Sequence, residues 1–212
     1  MSSKTSLVLI AAMLLAPQVI AQPAPAPTPQ QEYQALLERV KKSDASVDFG
    51  RMRQLQTQLD DYEPYGVDVE ESPLKLLQKG DSGKALAVAQ QILAASYLDL
   101  ESHSAAAKVA EERGDKAAAA HHQYVMNGIL DSILKSGDGK TPATAYVVIT
   151  VSEEYALMAR LGLRVAQQHL LNDDSGHSYD LLEAVNPETR TAQEVYFNID
   201  AIMTAANKMF SP

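Results

Sequence analysis

Two Gly-Asp pairs stand 34 residues apart, Gly80-Asp81 and Gly114-Asp115. A spacing of 34 is the period of helix–turn–helix repeat units. In such a unit a glycine ends the first helix in a left-handed conformation, and the aspartate after it caps the second. Each pair therefore marks the turn of one helical hairpin. Ala85 and Ala119, also 34 apart, are the small residues expected where the helices of each hairpin approach closely.

The flanking sequence limits how far the repeat extends. Ser72-Pro73 opens a short helix that ends at Gly80, with Ser as cap and Pro in the first turn. Asp81 or Ser82 caps a helix to about Ser96. Asp99 caps one to Arg113, and Asp115 one to about Lys135. Upstream, Tyr33, Leu36, Leu37 and Val40 form one apolar stripe on a helix from Gln31 to Lys42. Asp48 caps a helix that buries Phe49, Met52, Leu55 and Leu59. Pro73 shortens the first hairpin, so the array holds one and a half to two tetratricopeptide-like units, fewer than a solenoid needs.

After Ser136 the period changes. Ala145–Val151 is β-branched and aromatic and reads as a buried strand. Ser152–Leu161 reads as a short helix stopped by Gly162. Val165–Leu171, Tyr179–Val185 and Val195–Ile199 read as a meander, and Asp200 caps a last turn or two through Met209. Helices first and strands after imply an α+β fold, tetratricopeptide-like hairpins followed by a small antiparallel sheet. The expected organisation is a signal peptide over 1–21, a Pro-rich tether over 22–30 and a single domain over 31–212. That domain divides into a helical part (31–135) and a sheet part (136–212).

The leader argument rests on Lys4, the apolar run Leu7–Ala16 and the small-residue site Val19-Ile20-Ala21, with cleavage after Ala21. The run is short for a bilayer and Pro17 interrupts it, so no membrane span is expected after cleavage. The chain has no Cys, which excludes a lipid-anchored cysteine and a disulfide framework. Its formal charge of −9 and lack of clustered Lys/Arg argue against nucleic acid as a partner. The expected address is the periplasm or the exterior.

Several motifs bear on chemistry. Ser136-Gly137-Asp138-Gly139-Lys140-Thr141 resembles a phosphate loop, but Leu134 stands where that loop requires a glycine. The two glycines around Asp138 suit a tight helix-to-strand connection. His121 and His122 are adjacent on one helix, so their rings diverge and lack the i, i+4 spacing of a helical metal pair. No cofactor and no metal is expected. Glu153-Glu154-Tyr155 follows a core strand. The carboxylates fit a first helical turn through the helix dipole, and they could instead act as general acid or base beside Asp138. The candidate functional surface is Gly137, Asp138, Gly139, Glu153, Glu154, Tyr155 and Asn198.

An ordered set of short motifs extends across the chain. It runs from Val47-Asp48-Phe49 with Arg53 and Tyr62-Glu63-Pro64-Tyr65, through Ser136–Gly139, Ala145–Ile149, Glu153-Glu154-Tyr155 and Leu161-Gly162-Leu163. It continues with Gly176-His177-Ser178-Tyr179-Asp180 and Tyr196-Phe197-Asn198-Ile199-Asp200. Together these resemble the bacterial domain-of-unknown-function 4919 family over about Tyr33–Ile202. The resemblance implies one continuous domain of exported bacterial origin and carries no catalytic residues. The function expected from the sequence is a non-enzymatic scaffold that binds another envelope protein or a peptide. The competing readings are a small hydrolase-type enzyme built on carboxylates near Glu153 and Glu154, and a structural envelope protein without a ligand.

Overall fold

A computed structural model describes residues 26–210. The expected signal peptide and the start of the tether lie outside these residues. Helix α1 runs Pro29–Val40. The Thr28 hydroxyl accepts the Gln31 N–H, and the Gln31 side chain accepts the Thr28 N–H. This reciprocal cap starts the helix two residues before the sequence reading, so Pro29 and Gln30 belong to it and not to the tether. A proline is well placed there, because the first turn has no use for its missing N–H.

Asp48 caps α2 (Phe49–Gln56). Four helices follow: α3 (Pro73–Gln78), α4 (Ser82–Ala95), α5 (Leu100–Glu112) and α6 (Lys116–Leu134). The two Gly-Asp turns have the same hydrogen bonds at the same offsets. Asp81 N–H reaches Leu76 O at 3.0 Å and Asp115 N–H reaches Ala110 O at 2.8 Å. The Asp81 carboxylate accepts from Lys84 N–H and the Asp115 carboxylate from Ala118 N–H. Gly80 and Gly114 have φ of +82° and +72°, the conformation that the turn demands and that glycine adopts without strain. The repeat is thus a repeat of turn chemistry. Its packing is less regular: Ala85 is wholly buried on α4, between α3 and α5, whereas Ala119 is only half-buried.

The expected strand over 145–151 shrinks to β1 (Tyr146–Val147), because Val151 already begins helix α7 (Val151–Arg160). Strands β2 (Arg164–Asn172), β3 (Ser178–Val185) and β4 (Ala192–Asn198) form the expected antiparallel meander. The sheet as a whole is mixed, in the order β1-β4-β3-β2, since β1 joins the free edge of β4 in parallel. The last segment is a helix of 11 residues, α8 (Asp200–Phe210), longer than the expected turn or two, and Asp200 lies inside its first turn.

One apolar cluster joins the helices to the sheet. Val40, Met52, Leu55, Ile129 and Ile133 from the helical part meet Val148, Leu157, Met158, Leu182 and Phe197 from the sheet part. Strand alternation decides which sheet residues take part. Asp180, Leu182 and Ala184 on β3 share the face of Val195 and Phe197, and Tyr179 and Asn198 share the other. No described helix is long and apolar enough to cross a membrane.

Candidate functional site

The seven residues singled out from the sequence fall into separate bonding networks. Gly137, Asp138 and Gly139 form a fastening loop. The N–H groups of Asp138 and Gly139 both donate to Thr144 O, at 3.0 and 2.8 Å, and Gly139 O accepts the Tyr196 N–H at 2.8 Å. A Cβ on Gly139 would stand 2.4 Å from the Tyr146 ring, so the ring requires a glycine there. The exposed Asp138 carboxylate accepts the Lys140 N–H. The Thr144 hydroxyl and Lys140 hold its pKa below the usual carboxylate value. This loop ties the end of α6 to β4.

Asn198 is committed elsewhere. Its amide nitrogen donates to Asp200 at 2.9 Å, its oxygen accepts the Asp200 N–H, and Asp200 also holds His177 at 2.7 Å. The Asp200 carboxylate raises the His177 pKa. Asn198 projects from the opposite sheet face to Asp180. The sheet separates it from the carboxylates described next.

Glu153 is 2 % exposed and fully bonded. Arg53 approaches it with Nε at 2.8 Å and Nη2 at 2.6 Å, and the Ile149 N–H adds a bond at 2.8 Å. The same guanidinium donates to Ser132 Oγ and Val147 O. One fork thereby ties α2 to α6, β1 and α7, with little capacity left to bind or react.

Glu154, one residue on, is wholly buried and faces the sheet. Neither of its oxygens has a partner when every carboxyl is ionised. Asp180 lies against it and becomes a partner once one of the two carries a proton. Burial, then the Asp180 charge, push Glu154 up to about 8, so the group is protonated near neutrality. Burial also raises Asp180. Gln168 Nε2 donates to Asp180 at 2.6 Å, and the Tyr155 hydroxyl donates to Gln168 Oε1 at 2.8 Å. A chain of hydrogen-bonding groups thus runs from the 45 % exposed Tyr155 inward to Glu154. The sequence reading named both ends and missed Gln168 and Asp180. The polar Asp180 among inward-facing residues of β3 was the available signal.

Tyr155 also stands at the edge of a cleft of about 570 Å³ between α3, α5, α6 and α7. Leu74, Leu100, Met126, Leu130 and Ala156 give it an apolar lining. Glu101, Gln123, Asn127 and Arg160 supply polar groups beside them. Of the seven expected residues, Tyr155 alone lines this cleft.

Three of the histidines, His103, His121 and His122, lie together. His103, fully buried, has Nε2 2.8 Å from Tyr97 O, and a carbonyl only accepts, so Nε2 carries the hydrogen. Burial lowers the His103 pKa to about 3, which keeps the ring neutral. Its Nδ1 is then an acceptor, and His122 Nδ1, at 2.8 Å, must donate. His121 diverges from His122, as the helical geometry requires, and bonds Ser43 and Tyr97. The network joins α5 and α6 to the loop between α1 and α2, through Ser43, and to the segment after α4, through Tyr97. Among the described residues no group of three or more His, Cys, Asp or Glu is arranged to hold a metal.

The chain belongs to the DUF4919 family. The model of that family, described as a domain of unknown function (DUF4919), matches residues 28–208. No curated protein and no solved structure matches the chain.

Proposed function

We propose that this DUF4919 protein is an exported, non-enzymatic scaffold of the bacterial envelope that holds a peptide or protein segment in the cleft between its helical hairpins and α7. The observation that carries this reading is the composition of the cleft. Apolar side chains line it, and the neutral amides of Gln123 and Asn127 beside them suit pairing with a peptide backbone. Glu101 and Arg160 offer one charge of each sign for register. Export is supported by the basic, apolar and small-residue order of Met1–Ala21.

The test is a photocrosslinking residue in place of Met126, with the purified protein exposed to envelope extract. A discrete adduct is expected, and filling the cleft by Ala156→Trp should abolish it. An adduct that survives the filled cleft, or none at all, defeats the reading. Separately, the intact mass of the periplasmic protein should correspond to a chain beginning at Gln22.

A hydrolase-type reading has one observation in its favour. Glu154 is held protonated near neutral pH, as a general acid must be. Against it, Glu154 does not line the cleft, and Asp138 and Asn198 are engaged in other networks. Mutating Glu154 to Gln tests it, since a scaffold retains its crosslinked adduct and an acid catalyst loses turnover.

A further inference from the structure

The outer edge of β2 is open. Among the described residues, β2 makes backbone bonds to β3 alone, and no side chain bonds its main chain. Alternate N–H and C=O groups along it therefore point away from the sheet. Such edges are commonly blunted by Lys, by Pro or by a bulge. β2 has neither Lys nor Pro, and its bulge, between Val165 and Gln167, lies near its start. Residues 167–172 continue in regular register with β3.

Two features of this edge say what fits it. The first is charge. Arg164 opens β2, and Asp174 stands in the turn just past its end. Both are exposed, and among the described residues neither side chain has an ion-pair or hydrogen-bond partner. Opposite charges at the two ends of a strand suit pairing with an antiparallel copy of itself, in which each end meets the other. With His169 on the two-fold axis, Arg164 of each copy stands opposite Asp174 of the other. The second feature is apolar exposure. Leu170 is 54 % exposed and shares the sheet face of Gln168, to which the Tyr155 hydroxyl is bonded. The same register sets Leu170 of one copy opposite Gln168 of the other, beside the exposed Tyr155 ring. One register thus satisfies both features.

We propose that the chain forms a two-fold dimer by antiparallel pairing of β2 with β2 of a second copy. Two four-stranded sheets then become one continuous sheet. Main-chain bonds over the regular part of β2 hold the pair, and the Arg164–Asp174 contacts at both ends fix its register. The two His169 rings meet at the axis, each already held to Glu183 of its own chain at 3.0 Å.

The experiment is sedimentation equilibrium of the purified chain over a concentration series, with NMR hydrogen exchange of the β2 amides. A reversible monomer–dimer equilibrium is expected, with the outward amides of β2 protected only in the dimer. Arg164→Glu should weaken the dimer by about fivefold or more, and Asp174→Arg should do the same. The double variant Arg164→Glu/Asp174→Arg should restore it, because each reversed pair is remade across the axis. Leu170→Ser should weaken it as well. All of these variants should keep the wild-type circular dichroism, since the altered side chains are exposed. Ala156→Trp, which fills the peptide cleft, should leave the dimer intact, so the cleft and the edge stand or fall separately. A monomer at every concentration would overturn the proposal. So would a dimer indifferent to the single charge reversals, or one that the double variant fails to recover. Protection of β2 that arises only on adding envelope extract would give the edge to another protein and equally overturn self-pairing.

Discussion

At the start of α7 one turn of helix carries two buried glutamates that face different parts of the molecule. Glu153 meets Arg53 of α2, a backbone N–H and a guanidinium that also reaches α6. Glu154 meets the sheet, where Asp180 is another acid and no donor awaits it. Both are removed from water to a similar degree. The difference shows that burial alone does not decide what a carboxyl does in a core. A partner supplying a cation fastens elements together, and a partner that is itself a carboxyl turns the site into a proton store.

The comparison is tested most severely at Arg53. Arg53→Leu leaves Glu153 buried without its cation and should cost about 3–5 kcal/mol in urea unfolding at neutral pH. The paired variant Arg53→Leu/Glu153→Leu should recover much of that loss, since an apolar pair carries no orphan charge. A loss below about 1 kcal/mol in the single variant would mean that the two glutamates are not distinguished by their partners.

The next effect belongs to Glu154 and depends on pH. Its pKa is raised on folding, so the folded chain binds this proton more tightly than the unfolded chain does. Its contribution is complete below about 4.5 and is lost as pH rises through about 8. The loss should be about 4–5 kcal/mol across that window, and Glu154→Gln should flatten it. A profile unchanged in the variant would sink the assignment.

His103 gives the opposite sign. Its pKa is lowered on folding, so its contribution is present above about 6.5 and is lost as pH falls toward 3. A loss of about 1–2 kcal/mol is expected from pH 6.5 to 5. NMR should show the ring neutral at pH 5, and a ring that titrates near 6.5 would contradict the bonding described for it. The smallest effect is at the surface. Tyr155→Phe removes one partly exposed hydrogen bond and should cost about 0.5–1 kcal/mol, with the alkaline limb of the profile retained.

Legibility followed the range of the interactions. Four helix starts were readable because each is set by residues within one turn: Asp48, Asp81, Asp99 and Asp115 cap their helices, whereas α2 ends at Gln56, short of the expected Leu59. The meander was readable from alternation and turn residues. The parallel partner of Tyr146–Val147 was not, because it lies about fifty residues downstream and no local pattern names it. The two glutamates fit a helix start from their residue type alone, and that reading is sound as far as it goes. It could not find Arg53, one hundred residues away, or Asp180 across the sheet. His103 carried a usable signal, since it lies three residues from Leu100 and seven from Ala110 on the buried stripe of α5. Its pairing with His122 belongs to tertiary packing.

The parallel strand β1 has a consequence for the company this sheet can keep. Val148 N–H turns toward β4, so the free edge of β1 consists of the backbone groups of Val147. Both are taken: Ser136 Oγ accepts the N–H at 2.8 Å and Arg53 Nη2 donates to the carbonyl at 2.8 Å. That end of the sheet is stoppered, and a strand from another molecule finds nothing to pair with. The outer edge of β2, at the other end, has no such plug among the described residues. A chain that loses Arg53 frees the Val147 carbonyl, while Ser136 Oγ still holds the N–H, so that end of the sheet stays half closed to an added strand.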